Sequence, residues 1–260
     1  MMAQPRTQAA TENQHYIMQN YCKTIGALAA ASALVAGNAK AGVEYELHTG
    51  YSSEYLYRGQ NLGQDLIEVG ADVKMDFNGV NLSAGAWYGT ATNLGLTMTE
   101  LDLYVEASKD FGPVTGKVGY IFRQYDLDFA KPTSGEIYFG LSHDFGIVEA
   151  SLTYYWNVSE LDIFGATPGV TDGYTEFALR HSFVITPCLN VAVSTNIGYL
   201  CDDRTWTAWT SKVALDWAFA EHAKLSPFIA ASVAIGEQSN TIWTSTENQL
   251  LGGCMLSVNF

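Results

Sequence analysis

Residues 43–57, VEYELHTGYSSEYLY, and residues 66–77, LIEVGADVKMDF, decide the fold. In the first stretch Val43, Tyr45, Leu47, Thr49, Tyr51, Tyr55 and Tyr57 fall on one face. Glu44, Glu46, His48, Ser52 and Glu54 fall on the other. In the second, Ile67, Val69, Ala71, Val73, Met75 and Phe77 alternate with Glu68, Gly70, Asp72, Lys74 and Asp76. A period of two is the signature of a strand whose faces meet different surroundings. Asn78-Gly79 then supplies the residues of a tight hairpin turn.

The alternation continues to the C-terminus. It predicts strands at 43–57, 66–77, 80–91, 98–111, 114–125, 135–145, 147–158, 174–184, 189–200, 206–219, 224–235 and 249–260. That makes twelve, most of them long enough for a tilted membrane-crossing strand, which needs roughly 9–11 residues. The connections alternate as well. Tight ones fall at Asn78-Gly79, Gly112-Pro113, Gly146, residues 186–188 and residues 221–223. Longer polar ones are expected at 58–65, 92–97, 126–134, 159–173, 201–205 and 236–248. Short turns on one side and long loops on the other describe an outer-membrane barrel. The fold expected is therefore all-β, a transmembrane antiparallel up-and-down barrel of about twelve strands.

Every second strand closes on Phe: Phe77, Phe111, Phe145, Phe183, Phe219 and Phe260, spaced by 34, 34, 38, 36 and 41 residues. These six should form an aromatic rim at the periplasmic interface. Tyr55, Tyr57, Trp87, Tyr88, Trp156, Tyr174, Tyr199, Trp206 and Trp209 should form a second belt at the other end.

The N-terminal region reads as a targeting segment. Lys23 precedes the apolar run Ile25–Val35, and Ala39-Lys40-Ala41 offers a small-x-small cleavage site. Residues 1–41 are thus expected to be a signal peptide, with Met18 as an alternative start, and residues 42–260 the barrel. Three of the 13 Lys+Arg and one of the 27 Asp+Glu precede Gly42, which leaves 10 against 26 and a net charge of −16. That balance argues against nucleic acid as a partner. Cys188, Cys201 and Cys254 are odd in number, and about 13 residues of strand separate the first two by about 40 Å, which argues against a disulfide framework.

Charges on a lipid-facing surface cost about 2–4 kcal/mol each at the midplane, so they are expected to point inward. The expected pore lining is an acidic wall of Glu44, Glu46, Glu68, Asp72, Asp76, Glu100, Asp102 and Glu106. Lys74, Lys117, Arg123, Arg180 and Lys212 form its basic counterpart. Arg58 is expected at the mouth, folded in to anchor a loop carboxylate such as Asp65. Asp110-Phe-Gly112 and Asp144-Phe-Gly146 lack the motifs that would make them kinase-like and read as turn punctuation. Ser142-His143-Asp144 are adjacent strand residues and cannot form a relay. No His is followed two residues later by Ser, as an outer-membrane phospholipase would require. No zinc-like cluster is seen, and Asp126, Asp128, Asp202 and Asp203 read as solvated loop carboxylates. No catalytic residue, cofactor or metal is assigned.

Two stretches carry a resemblance. The last eleven residues, LLGGCMLSVNF with Phe260 terminal, resemble the assembly signal of bacterial outer-membrane barrels. Residues 50–60, GYSSEYLYRGQ, followed by Gly85-Ala-Trp-Tyr-Gly89, resemble the TorF-type porin family, also called Gcw_chp. The family's Ser-Asp-Tyr stands here as Ser53-Glu54-Tyr55, and the likeness covers only about the first fifty residues after Ala41. It implies an outer-membrane channel and no particular solute. The function expected is passive, porin-like passage of small polar solutes or ions, mildly favouring cations. The alternatives are a plugged structural or adhesive barrel, and an outer-membrane enzyme of phospholipase type. The expected partners are outer-membrane lipid, small solutes and, through the Phe260 segment, the barrel-assembly machinery. Monomer and trimer remain equal readings.

Overall fold

The computed structural model describes residues 42–93, 95–126, 133–158, 173–236 and 247–260. The signal-peptide reading of residues 1–41 lies outside them. Gly42–Asn259 forms one compact unit. It consists of twelve strands: β1 (Val43–Tyr57), β2 (Gln60–Phe77), β3 (Val80–Asn93), β4 (Leu96–Asp110), β5 (Thr115–Asp126), β6 (Thr133–Asp144), β7 (Glu149–Asn157), β8 (Tyr174–Thr186), β9 (Leu189–Leu200), β10 (Thr205–Ala220), β11 (Ala223–Ala234) and β12 (Gln249–Asn259). Each pairs antiparallel with its neighbours in sequence. β1 pairs with β12 from Glu46↔Asn259 to Ser52↔Gly253, which closes the sheet into a barrel. Closure leaves no edge strand, the usual hazard of an antiparallel sheet.

The turns at one end are short because the sequence programs them. Asn78 and Gly79 both take positive φ, 55° and 75°, as a two-residue hairpin turn requires. Asp110 and Asp144 each accept a hydrogen bond from the backbone N–H two residues on, at Gly112 and Gly146, both at 2.7 Å. The two Asp-Phe-Gly tripeptides are thus turns, as their context in the sequence indicated. Asp76, expected in the acidic wall, does the same work at the rim: it is exposed and accepts from Gly79 N–H at 3.3 Å.

The opposite end departs from expectation. Residues 58–65 were expected to be a polar loop, yet β2 begins at Gln60 and only Arg58-Gly59 turns the chain. Both have positive φ, 49° and 81°. β3 likewise runs to Asn93 and β4 begins at Leu96, and residues 201–204 join their strands in a short turn. The strands simply run further than the alternation suggested. The β1–β2 ladder is irregular at two places, at Ser53 and Asp65 and in a register shift between Tyr55 and Leu56. Ser52 pairs with Leu66 and Glu54 with Gln64, Asp65 has φ 54°, and Ser52 Oγ donates to the Glu54 carbonyl at 2.8 Å. Such an irregularity re-aims the side chains beyond it.

Outside, the barrel is apolar: Leu103, Val105, Leu141, Leu152, Val213 and Val233 are all exposed large aliphatics, on strands all round the circumference. Phe77, Phe111, Phe145, Phe183 and Phe219 are exposed at the short-turn end. Tyr88, Trp156, Trp206 and Trp209 are exposed towards the other. The second belt needs correction, however. Tyr55 and Tyr174 are buried, and Tyr57 and Trp87 pack in one cluster with Tyr55, Leu62, Leu66, Ala91 and Met98. Tyr51 is exposed and Tyr55 is 8% exposed. Four residues apart, they should share a face; the irregularity at Ser53 and Asp65 separates them.

Candidate channel lumen

Residues that touch across non-neighbouring strands must point into the barrel, and these contacts define its interior. Tyr104 on β4 reaches over Gly85 of β3 and donates to Asp72 of β2 at 2.5 Å. Tyr138 on β6 reaches over Gly119 of β5 and donates to Glu106 of β4 at 2.8 Å. The two arrangements are one unit repeated. Asp72, Gly85 and Tyr104 each lie 34 residues before Glu106, Gly119 and Tyr138. A Cβ on Gly85 or Gly119 would sit 2.4 or 2.2 Å from the ring above it, so each ring needs its glycine.

The acidic residues expected on β1–β4 therefore divide. Asp72, Glu106, Glu68 and Glu100 each accept from an aromatic side chain. Trp87 Nε1 donates to Glu68 at 2.6 Å and Tyr55 OH to Glu100 at 2.5 Å. Asp72 also has His48 at 3.5 Å, and Glu106 has Lys117 at 3.8 Å. Asp102 faces Arg123 Nε at 3.3 Å. Glu44 is exposed at the start of β1, opposite the exposed Lys74. Glu46 pairs in register with Asp72 and lines a cavity described below.

Arg58 lies in the turn between β1 and β2, and its partner is not Asp65, which instead accepts from Tyr51 OH at 2.7 Å. The tip of the β1–β2 hairpin bends across the barrel. Arg58 Nη1 and Nη2 donate to the two carboxylate oxygens of Glu136 on β6, at 2.7 and 2.9 Å. Its guanidinium carbon lies 4.4 Å from the ring centres of Tyr155 and of Tyr174, and 4.9 Å from that of Tyr57. A Cβ on Gly59 would lie 2.4 Å from Cβ of Ala208 on β10, so the tip also abuts the far wall. Glu136 is completely buried and takes a second guanidinium, Arg123 Nη1, at 2.5 Å. Arg123 is itself buried, with the Tyr57 ring 5.3 Å away. Two cations and the carboxylates of Glu136, Asp102 and Glu100 thus form one dry network with Tyr55, Tyr57 and Tyr125. Bidentate Arg–carboxylate pairing is the geometry best able to offset desolvation.

Sequence reasoning missed Glu136 and Tyr155, and placed Tyr174 in the outer belt rather than the interior. Tyr138, Tyr155 and Tyr174 are cross-strand neighbours on β6, β7 and β8, with ring centres 5.6 and 5.9 Å apart. The 34-residue spacing that links Tyr104 to Tyr138 does not extend to Tyr155 or Tyr174.

Towards the short-turn end the interior is different. A cavity of about 780 Å³ is lined there by Glu46, His48, Glu149, Arg180, Lys212, Asp216, Lys224 and small residues such as Ala192, Ser194, Ala214, Ser226 and Ser257. Arg180 and Lys212, expected in the basic set, belong to this cavity; Lys117 and Arg123 belong to the networks on β4–β6. Lys212 Nζ lies 4.0 Å from the ring centre of Phe228, and Lys224 pairs with Asp216 at 3.9 Å.

The Ser142-His143-Asp144 run makes no relay. His143 Nδ1 contacts the Pro113 carbonyl, and its ring packs edge-on against Phe145 at 4.2 Å. Among the described residues no three His, Cys, Asp or Glu side chains gather as a metal site would require, and Asp128 lies outside them. The three cysteines of the barrel are free.

No family model matches the chain, and no curated protein matches it by sequence. Solved structures do resemble it. The NanC porin is 13% identical over 82% of this chain and 98% of its own, with a TM-score of 0.52. The COG4313 outer membrane channel of Pseudomonas putida F1 is 10% identical over 86% of this chain and 97% of its own, with a TM-score of 0.53. The toluene transporter TodX of Pseudomonas putida is 8% identical over 85% and 88%, with a TM-score of 0.51. At such identities the likeness is one of fold, and the fold they share with this chain is the closed antiparallel barrel of outer-membrane channels.

Proposed function

We propose that this protein is an exported outer-membrane channel that passes small polar solutes or ions passively, in the manner of TorF-type porins. One observation carries the reading. The barrel turns exposed aliphatic and aromatic side chains outward on strands all round its circumference, while a cavity of about 780 Å³ lined by charged and small polar side chains occupies the inside. Monomeric soluble proteins rarely expose continuous apolar surface on that scale, and a membrane is the surrounding that rewards it. The Phe rim then lies at the periplasmic interface and the Arg58 end at the cell surface. The Phe260 segment is read as the address for the assembly machinery, and residues 1–41 as the export signal.

Twelve strands fall between barrels filled by side chains and those that leave a wide aqueous channel. The pore lining proposed is the inward set of β1–β5, β8 and β10, including Glu46, Glu68, Asp72, Arg180 and Lys212. The net charge of −16 after Ala41 supports a mild preference for cations. Chemistry is not part of the proposal, since no nucleophile, base and orienting group come together in the described interior. A second reading, a barrel held shut, is favoured by one feature: the Arg58 tip lies across the lumen on Glu136.

Single-channel current of the refolded barrel in a planar bilayer, under asymmetric KCl, tests the channel. Discrete steps with a cation-selective reversal potential are expected. A silent bilayer containing protein that shows heat-modifiable migration would transfer the weight to the shut barrel.

A further inference from the structure

The Arg58 network has a feature that a simple structural latch does not need. A latch between a hairpin tip and a wall requires one ion pair. Here the guanidinium is enclosed: Tyr155 and Tyr174 each lie 4.4 Å from it, Tyr57 lies 4.9 Å away, and Glu136 grips both terminal nitrogens. Three rings and a carboxylate matched to a planar fork are what a binding site for a guanidinium looks like. The carboxylate and two of the rings come from β6, β7 and β8, while Tyr57, at the end of β1, and the occupant itself come from the β1–β2 hairpin. Arg58 holds a left-handed backbone, φ 49°, at a turn position where Asn, Asp or Gly is the usual choice. The tip therefore presents its guanidinium at a position that turn geometry alone would not select.

We propose that this cage is a transit site for guanidinium-bearing solutes, occupied at rest by the protein's own Arg58. When the hairpin tip lifts, Glu136 keeps Arg123 at its second oxygen, and Asp102 and Glu100 remain beside it. Glu136 then holds one guanidinium in place of two, so the vacated cage, with its aromatic walls, favours a cation. A solute carrying a planar guanidinium replaces what Arg58 supplied, whereas a compact ammonium cannot take both oxygens of Glu136. Occupancy by such a solute and occupancy by Arg58 are then alternatives at one place, so the solute holds the tip away from its own path.

The site can be tested apart from the channel reading on which the transit role rests. Refolded Arg58→Ala barrel in detergent is titrated calorimetrically with methylguanidinium and, separately, with methylammonium. Folding is verified by heat-modifiable migration. The account expects saturable binding of methylguanidinium to Arg58→Ala, at least about tenfold tighter than methylammonium, much weaker binding to the wild type, where Arg58 competes for the cage, and none to Arg58→Ala with Glu136→Gln. Arg58→Gln replaces Arg58→Ala if the latter does not fold. No saturable binding in a folded Arg58 variant, or equal binding in the wild type, overturns the inference. The same variants in a bilayer give the second readout. Methylguanidinium should block the Arg58→Ala current over the concentration range in which it binds. Binding without any current supports the site and removes the channel.

Discussion

The two halves of this barrel's interior are built from the same alternation and do opposite things with it. Near Arg58, inward side chains are large and tied to one another. Tyr55, Tyr57, Tyr125, Tyr155 and Tyr174 gather with Arg58, Arg123 and Glu136 in one buried cluster. Near the short turns, inward residues of β9–β12 are small, Ala192, Ser194, Ala214, Ser226 and Ser257, and a cavity opens between Glu46 and Arg180, Lys212 and Lys224. A barrel of intermediate strand number can be plugged or open. Here side-chain volume along each strand, rather than strand count, decides which, and the decision changes half-way along the barrel.

The difference should be measurable as stability. Glu136→Ala strands two buried guanidiniums and should cost about 3–5 kcal/mol, read as a fall in the urea midpoint for loss of the folded, faster-migrating form. Glu149→Ala, exposed in the open half, should leave that midpoint unchanged. Equal effects would mean the network is not the structural anchor described. A smaller loss is expected for Tyr138→Phe and Tyr104→Phe. Each removes one hydroxyl donor to a carboxylate that keeps a second partner, Lys117 for Glu106 and His48 for Asp72, so about 1 kcal/mol should be lost from each. Because the two sites are one repeated unit, the losses should be alike; a clear disparity would argue that the repeat is only a coincidence of spacing. The smallest stability effect belongs to Lys212→Glu, which should leave the midpoint in place while moving the bilayer reversal potential further towards cations.

Much of the fold could be read from the chain. All twelve strands follow from the alternation, and Phe77, Phe111 and Phe145 mark the hairpin repeat. What escaped was the upper interior. Tyr55 and Tyr57 have the parity of the outward face, yet they lie inward, beyond the left-handed Asp65 and beside a register shift between Tyr55 and Leu56. A strand pattern carries no mark of such a slip, because it reports parity and not register. Glu136 escaped for another reason. Its partner Arg58 is 78 residues away, with β2, β3, β4 and β5 between them along the chain, so no local spacing couples them. The Asp72–Gly85–Tyr104 unit was legible in principle, since its 34-residue copy at Glu106, Gly119 and Tyr138 has the period of the Phe rim. The charged residues were assigned to one lumen; the structure divides them between a closed network and an open cavity.

The division of the lumen is tested most directly by thiol modification. In a barrel with Cys188, Cys201 and Cys254 replaced by Ala, single cysteines are placed at Ser194, in the cavity, and at Ser134, which is 2% exposed beside Glu136 on β6. Each is treated with a small charged methanethiosulfonate while folded. The account predicts prompt reaction at Ser194→Cys and a rate slower by about a hundredfold at Ser134→Cys, limited by opening of the network. Similar rates at the two positions would contradict it.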